Sequence, residues 1–377
     1  MSKKLFAILA VLLVASMVLA ACGTPTPTTA PTTEAPTTAA TTEAPTAAPT
    51  EATTAAPTVS VCQITDTGGI DDKSFNATAW KGVEDAVAQL GVSGKYLESK
   101  EVADYEKNLN AFIEEKCTLI ITVGFLIGDA TKAAAEANPT IDFSIVDYSY
   151  SPVIPNVVGQ VFQTDEAAFL AGYVAAGVTK TGKVGTFGGL PIPTVTIFMD
   201  GFARGVAYYN TKHSTSVQVL GWDVNDETKG LFTNSFDDQT KGHDLGISLM
   251  DEGADIIMPV AGPVGLGTAA AVLERGNAYV IGVDSDWFLT SPDYASITLT
   301  SVMKKMDATT LAVIKSVVDG TFKGGNTVGT LANQGVDLAP FHDLDSLVSA
   351  DLKAELDQVK ADLISGAIAL NPNFKQQ

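Results

Sequence analysis

The sequence passes from strand to helix at Asp66-Thr67-Gly68-Gly69-Ile70-Asp71-Asp72-Lys73-Ser74-Phe75-Asn76, after the predicted strand 61–64 and before a helical pattern. A strand that ends in a glycine turn and leads into a helix places its loop at the carboxyl edge of a sheet, where open α/β folds bind ligands. This loop offers carboxylates, glycines and an aromatic ring, and it contains no nucleophile paired with a base. It therefore favours holding a molecule over transforming one.

The composition indicates a globular protein with more than one core. The chain has 377 residues, of which 46% are hydrophobic, and two lobes are the natural expectation for that length. The formal charge is −20 and the pI is about 4.4. Nucleic-acid binding is disfavoured, because neutralising phosphates requires clustered Lys and Arg.

The N-terminus has the pattern of an export signal. Met1-Ser2-Lys3-Lys4 and the apolar run 5–20 are followed by Leu19-Ala20-Ala21-Cys22, which resembles a bacterial lipobox. We expect residues 1–21 to be a lipoprotein signal peptide and Cys22 to carry lipids that anchor the protein at the extracytoplasmic side of the cell membrane. The alternative is a plain secretory signal in which Cys22 is incidental.

Residues 22–58 form the next segment, which from residue 24 uses almost only Thr, Pro, Ala and Glu. Such a composition lacks the apolar groups needed to offset the entropy of ordering a chain. We expect a disordered tether that holds the globular part away from the membrane.

From residue 59 onward, apolar strand patterns alternate with helical patterns. This rhythm predicts an α/β fold with two lobes, each a doubly wound, mainly parallel sheet. The expected division assigns residues 59–165 and 285–325 to lobe one, and residues 166–284 and 326–377 to lobe two. The chain would then cross between lobes near residues 165, 285 and 325.

Cys62 and Cys117 are the only cysteines after Cys22. In the flavodoxin-like strand order 2-1-3-4-5, strand one lies beside strand three, and these cysteines fall at the start of one and just before the other. An even pair in an exported protein favours a disulfide. Two buried free thiols are the competing interpretation.

Two stretches imitate nucleotide-binding motifs. Gly177-Val178-Thr179-Lys180-Thr181-Gly182-Lys183-Val184 lacks the Ser or Thr that would coordinate magnesium, and its glycines follow a helix. Gly265-Leu266-Gly267-Thr268-Ala269-Ala270 fits a dinucleotide fingerprint better, because it follows a strand, opens a helix and has Asp284 about twenty residues on. A dehydrogenase therefore remains the runner-up, although residues 261–264 insert extra chain before the glycines.

Individual residues near strand ends and helix entries are candidates for the cleft between the lobes. Phe75 and Phe198 would each present an aromatic ring, although Phe198 and Phe202 could equally form one apolar helix face. Asp147 ends a predicted strand and is either a cleft residue or a turn cap. The three histidines lie in unrelated polar contexts without metal spacing, so we expect no metal site. We also expect no cofactor and no enzyme activity.

With these residues considered, the chain resembles the basic membrane protein (BMP) family of ABC transporter substrate-binding lipoproteins, whose best-understood type is the purine nucleoside receptor. The resemblance spans residues 60–370. It is carried by the loop 66–76, Val123-Gly124-Phe125, Phe169-Leu170-Ala171-Gly172-Tyr173, Thr179-Lys180-Thr181-Gly182-Lys183-Val184-Gly185 and Gly282-Val283-Asp284.

The resemblance implies a periplasmic-binding-protein type I fold that feeds a nucleoside to the permease and ATPase of an ABC transporter. Phe75 and Phe198 would sandwich the base, and Asn76, Asp147 and Asp66 would hydrogen-bond its edge. Asp284 would grip the ribose hydroxyls, helped by the Gly262 backbone and Lys304. We expect a monomer that contacts the membrane only through its lipid. A nucleoside hydrolase and a surface sensor without a transporter remain alternatives.

Overall fold

The computed structural model describes residues 59–370, which belong to one compact unit. The predicted signal peptide, the predicted lipidation site Cys22 and the predicted tether to residue 58 lie outside the described residues. No helix within the described range has the length and apolar character needed to cross a membrane.

Strands and longer helices alternate along the described chain, as the sequence pattern predicts. The strands are β1 (Ser60–Ile64), β2 (Ser93–Leu97), β3 (Leu119–Val123), β4 (Asp142–Val146), β5 (Val157–Phe162), β6 (Lys183–Gly188), β7 (Gln218–Leu220), β8 (Ile256–Val260), β9 (Tyr279–Asp284), β10 (Thr298–Lys304), β11 (Gly325–Gly329) and β12 (Val336–Leu338). The helices are α1 (Phe75–Leu90), α2 (Asp104–Glu114), α3 (Gly128–Ala137), α4 (Thr164–Val178), α5 (Pro193–His213), α6 (Gln239–Asp251), α7 (Val264–Arg275), α8 (Trp287–Thr290), α9 (Met306–Val318) and α10 (Ala350–Ser365).

The first sheet has the order β11-β5-β4-β3-β1-β2, and all its strand pairs are parallel. Residues 119–123 of β3 are all buried, which agrees with a sequence that is apolar except for Thr122, because a parallel sheet is covered on both faces. The sheet and its helices form the first lobe. Its core follows the flavodoxin-like order from which the cysteine pairing was argued.

The second sheet repeats this plan with the order β12-β10-β9-β8-β6-β7. Its strand pairs are parallel except for β10 and β12, which are antiparallel at one edge. This sheet and its helices form the second lobe. The prediction of an α/β fold with two doubly wound, mainly parallel lobes is confirmed.

The division of the chain between the lobes differs from the expected one. Strand β10 lies in the second sheet and β11 in the first, whereas the expected boundaries placed them the other way round. Helix α9 packs against α1 of the first lobe. The chain therefore crosses at Gln163, at Lys305 and over residues 330–335. The expected division was wrong because strand pairing depends on long-range contacts that local sequence does not specify.

Backbone hydrogen bonds hold the three crossovers side by side. Gln163 N donates to Gly329 O at 2.8 Å, and Lys305 N donates to Gly335 O at 2.9 Å. The carboxylate of Glu166 accepts a hydrogen bond from Leu331 N at 2.7 Å. These contacts make a single hinge region from three distant segments of sequence.

Cys62 and Cys117 are joined in a disulfide, with their Cα atoms 6.1 Å apart. Val61 on β1 pairs with Leu119 on β3, so the two cysteines lie at neighbouring strand starts. Both side chains are buried in the core cluster of the first lobe. Of the two interpretations left open by the sequence, the structure has the disulfide.

Candidate ligand-binding site

A cleft lies where the carboxyl ends of the two parallel sheets face each other, and the empty space inside it, including the part open to solvent, is about 570 Å³. The eight residues predicted for ligand binding all line it. They are Asp66, Phe75, Asn76, Asp147, Phe198, Gly262, Asp284 and Lys304. The structure thus brings together residues that are spread over more than 230 positions of sequence.

The entry of helix α1 is held by Asp72. Its carboxylate accepts hydrogen bonds from the backbone N–H groups of Ser74, Asn76 and Ala77 at 3.0, 2.7 and 3.0 Å. Burial raises the pKa of Asp72 to about 6, while these hydrogen bonds act in the opposite direction. Asp72 therefore caps the helix that presents Phe75 and Asn76.

Asn76 is tied to its own loop more firmly than the sequence indicated. Its Oδ1 accepts from Asp66 N at 2.8 Å, and its Nδ2 donates to Asp72 Oδ2 at 3.1 Å. One N–H of the amide remains for a ligand, because an amide nitrogen carries two donors. Asn76 thus serves the loop geometry as well as lining the cleft.

Asp66 lies at the end of β1 against Gly124, which follows β3. Gly124 has a φ of +111°, and a Cβ at this position would overlap Asp66 Oδ2. The hydroxyl of Tyr105 donates to Asp66 Oδ1. Burial raises the pKa of Asp66, and the hydrogen bonds from Tyr105 and Thr67 oppose the rise. Glycine is required here so that the carboxylate can fit.

Lys304 contacts carboxylates from both lobes. Its Nζ pairs with Asp147 Oδ2 of the first lobe and lies 3.7 Å from Asp284 Oδ1 of the second. The Lys304 side chain is 2% exposed. A buried cation needs such partners, because removing an unpaired charge from water is costly.

Asp147 has one carboxylate oxygen without a partner. Oδ1 is buried and accepts no hydrogen bond from any residue in the described range. Burial raises the pKa of Asp147, while the ammonium of Lys304 lowers it. An unpartnered buried acceptor in a cleft fits a ligand that brings a hydrogen-bond donor.

Phe75 and Phe198 approach the cleft from opposite lobes. Lys304 Nζ lies 4.9 Å from the Phe75 ring centroid and 5.2 Å from that of Phe198, so the centroids are at most 10.1 Å apart. Phe198 is 1% exposed and belongs to the core cluster, and it also lines the cleft. Phe202, one turn later, is core.

Sequence reasoning missed several residues of the cleft wall. Phe125 was quoted as part of a motif without a role, and Phe236 lies in a loop of the second lobe that carries no recognisable motif. Ile192, Thr194 and Val195 line the cleft at the start of α5. Proline at position 193, which favours the first turn of a helix, was the available signal for that entry.

The loop that resembles a P-loop already holds an internal anion. The Asp255 carboxylate accepts hydrogen bonds from Thr179 Oγ1 at 2.5 Å, Lys180 N at 2.7 Å and Thr181 N at 3.1 Å. These are the donors that a phosphate would need. The loop joins α4 to β6, and its donors are satisfied within the protein.

The glycines of the dinucleotide-like stretch serve helix packing. A Cβ at Gly267 would overlap Gln239 O of α6, and one at Gly265 would lie 2.8 Å from the Trp287 ring. The close approach of α6 and α7 therefore explains a pattern that sequence alone could assign to a pyrophosphate. Gly262, by contrast, borders the cleft with open space around its Cβ position.

The three histidines lie outside the cleft and each pairs with a carboxylate. His213 Nε2 lies 2.8 Å from Glu355, His243 Nε2 lies 3.2 Å from Glu274, and His342 Nε2 lies 2.8 Å from Asp286. Within residues 59–370, no group of three or more metal-ligating side chains is placed to hold a metal ion.

Comparison with known proteins assigns the family. Residues 59–371 match the Bmp family model, described as ABC transporter substrate-binding protein PnrA-like. The chain belongs to the Bmp family. The resemblance on which the site residues were predicted is thereby confirmed, and the protein is an ABC transporter substrate-binding protein of this family.

Individual relatives agree with this assignment. The ABC transporter nucleoside-binding protein BmpA of Lactococcus lactis is 31% identical over 81% of this chain and 87% of its own length. A lipoprotein of Pyrococcus abyssi is 31% identical over 74% of this chain and 68% of its own length. The crystal structure of an ABC transporter solute-binding protein from Aeropyrum pernix superposes with a TM-score of 0.75 at 26% identity, covering 85% of this chain and 94% of that one.

Proposed function

We propose that this Bmp-family protein captures a nucleoside between its two lobes and delivers it to the permease and ATPase of an ABC importer. The supporting observation is that Phe75 and Phe198 come from opposite lobes and lie within 10.1 Å of each other, with charged groups beside them. A flat ring stacked on both faces needs two van der Waals separations, about 7 to 8 Å. A separation of the ring centroids of at most 10.1 Å is compatible with a base between the two phenylalanines.

Polar groups would orient the two halves of the ligand. Asp147 Oδ1 would accept a hydrogen bond from the base, and Asp66 and the remaining Asn76 N–H would complete its edge. The Asp284 carboxylate would accept hydrogen bonds from both ribose hydroxyls, and its Oδ1 lies 3.7 Å from Lys304 Nζ. The Gly262 backbone would approach the sugar. A carboxylate that accepts from two hydroxyls rejects an analogue lacking one of them.

The charge of the cleft favours an unphosphorylated ligand. Four carboxylates line it, those of Asp66, Asp72, Asp147 and Asp284, against the single ammonium of Lys304. A phosphate group would meet net negative charge in a low-dielectric site. Purine nucleosides are the first ligands to test, because the L. lactis relative carries the name nucleoside-binding protein.

The family supports a proposal about the cellular arrangement. We propose that the protein is a monomer anchored at the extracytoplasmic membrane surface by lipids on Cys22, and the P. abyssi relative is likewise described as a lipoprotein. Cys22→Ser should release the protein from the membrane fraction. A variant that stays membrane-bound would contradict the lipid anchor.

A calorimetric panel of nucleosides, free bases, sugars and amino acids tests the ligand. Guanosine, inosine and adenosine should bind, and at a hundredfold excess over Kd a bound nucleoside should stabilise the protein by about 2.7 kcal/mol. Binding of a sugar or amino acid without any nucleoside would overturn the proposal. Conversion of the nucleoside to base and ribose would instead indicate a hydrolase.

A further inference from the structure

Two serines connect the lobes beside the proposed ribose site. Ser74 precedes α1 in the first lobe, and its Oγ lies 3.1 Å from Val283 O and 3.0 Å from Asp284 Oδ2 in the second lobe. Ser285 follows β9 in the second lobe, and its Oγ donates to Lys73 O of the first lobe at 2.9 Å. Each lobe therefore donates a hydrogen bond from a serine hydroxyl to the other lobe.

These contacts form part of the wall between the ligand cleft and an outer groove. The cleft and the groove share Asp284 and Lys304, and the groove is also lined by Lys73 and Ser285. Hydrogen bonds of about 3 Å exist only when the loops are in contact. The two serine contacts therefore form when the lobes close and break when they open.

Ser74 has a fixed position from which to act. It is 2% exposed, and its backbone N–H donates to Asp72 Oδ1 at 3.0 Å. Its hydroxyl has one proton, for which Asp284 Oδ2 and Val283 O are both within reach.

Asp284 receives one contact from each side. Ser74 of the first lobe reaches Oδ2, whereas Lys304 of the second lobe lies 3.7 Å from Oδ1. The orientation of the carboxylate plane is therefore set by groups from both lobes. In an open protein only Lys304 would remain.

We propose that Ser74 is a positioning residue for Asp284, acting across the lobe boundary, and that Ser74 and Ser285 form a latch coupling lobe closure to recognition of the ribose hydroxyls. This inference rests on the proposed nucleoside function. The physical reason is that a carboxylate accepts from two neighbouring hydroxyls only in one orientation, and Ser74 completes that orientation on closure. Selection for ribose over 2′-deoxyribose then develops in the closed protein and appears in the dissociation rate.

The two serines give different expectations, because only Ser74 contacts the Asp284 carboxylate. Ser74→Ala should raise the Kd for guanosine about tenfold, mainly through faster dissociation, and reduce the ratio of the 2′-deoxyguanosine Kd to the guanosine Kd. Ser285→Ala should weaken both nucleosides by the same factor and leave that ratio unchanged. Ser74→Thr, which retains the hydroxyl, should restore the ratio.

Ser99→Ala is the matched control, because Ser99 is fully buried and its Oγ accepts a hydrogen bond from Asn108 Nδ2 of the same lobe. It should change neither Kd. Titration calorimetry and stopped-flow dissociation of the full-length protein give all values, and thermal unfolding checks each variant. If Ser74→Ala does not fold, Ser74→Cys replaces it, because a thiol is a weak donor of similar size.

Three outcomes overturn the inference, and the first of them also overturns the proposed function. Absence of guanosine binding by the wild-type protein would overturn the proposed function and this assignment together. Guanosine binding by the wild type, with an unchanged deoxyribose ratio in the Ser74 variant, would overturn the assignment alone. The same holds if Ser285→Ala lowers the ratio as much as Ser74→Ala does.

Discussion

Lys304 ends a strand of the second sheet, and its ammonium pairs with Asp147, which follows a strand of the first sheet. Both side chains are at most 3% exposed. Asp147 and Asp284 occupy equivalent places in their lobes, at the ends of β4 and β9, and both have positive φ, 64° and 68°. One cation is thus shared between two carboxylates that the repeated lobe plan presents to each other.

Removing the cation should destabilise the protein. Lys304→Met leaves the buried Asp147 and Asp284 carboxylates without a cationic partner, so the free energy of unfolding should fall by about 3 to 5 kcal/mol at pH 7. Urea denaturation measures the loss. The loss of unfolding free energy should be smaller at lower pH, because a protonated Asp147 is neutral and needs no cationic partner. Lys305→Met, at the more exposed neighbouring position, is the control, and an equal loss there would contradict the explanation.

Removing one of the two proposed stacking rings should weaken nucleoside binding, and a neighbouring core variant distinguishes this effect from a loss of stability. Phe198→Leu should lower nucleoside affinity by about 1 to 3 kcal/mol, the range for stacking a base on an aromatic ring. Phe202→Leu is the control on the same helix, because Phe202 is buried but does not line the cleft. It should lower the melting temperature and leave the Kd unchanged. Equal affinity losses in both variants would show that the effect is structural.

Asp284→Asn should weaken guanosine binding while leaving any binding of free guanine unchanged. Asparagine keeps one neutral acceptor oxygen and replaces the other with a donor, so the loss of a charged hydrogen bond predicts about 1.5 to 3 kcal/mol, roughly 10- to 150-fold in Kd. Titration calorimetry with both ligands measures the difference. Asp71→Asn, at an exposed position of the loop 66–76, should have no effect on either ligand. Unchanged guanosine binding by Asp284→Asn would show that the ribose lies elsewhere.

Asp165 should make the protein less stable at alkaline pH. Its Oδ1 has no partner within the described residues, and burial together with Glu166 and Asp200 raises its pKa to about 7. The folded protein therefore binds the Asp165 proton more tightly than the unfolded chain. This contribution to stability is complete below the unfolded pKa near 4 and is lost as pH rises through 7, at about 1.4 kcal/mol per pKa unit.

Asp165→Asn isolates this effect. The variant should gain unfolding free energy relative to wild type between pH 5 and pH 8, as measured by urea denaturation at both values. Asp357→Asn, at an exposed position on α10, provides the comparison and should show no such gain. A difference between variant and wild type that does not depend on pH would rule out titration of Asp165.

The disulfide should contribute substantially to stability. Cys62 and Cys117 are 55 positions apart, and closing a loop of that length corresponds to about 4 kcal/mol in the chain-entropy model. The double variant Cys62→Ala, Cys117→Ala should lose about that much in urea denaturation. Adding a reductant should lower the stability of wild type and leave the double variant unchanged. Equal sensitivity of both proteins to reductant would contradict a bridging role.

Much of the fold was predictable from local pattern. Residues 119–123 form a short run that is apolar except for Thr122, and the stretch 66–76 carries the glycines and helix-start residues that end β1 and begin α1. Both signals act over a few residues, since they depend on side-chain periodicity and backbone preference. The lobe to which β10 and β11 belong could not be predicted this way, because a strand's pairing partner is chosen by contacts made far along the chain.

Local sequence marked the loop 66–76, Phe198 and Asp147 as cleft candidates, and the family resemblance supplied the full set of eight residues, all of which line the cleft. Their individual roles in binding stay predictions. Phe125 and Phe236 were missed because an aromatic residue in a loop has no periodic signal. The internal anion Asp255 was missed too, since it lies more than 70 positions from the loop whose donors it satisfies.

The sequence by itself determined the element types, the repeated α/β plan and the identity of the groups available for binding, because these depend on neighbouring residues. Tertiary structure alone decided which polar and charged groups meet. Lys304 lies 157 positions from Asp147, and Ser74 lies 210 positions from Asp284. Hydrogen bonds and ion pairs act over a few ångströms. Contacts between such distant residues therefore exist only once both sheets have formed and the crossovers have set the lobes edge to edge.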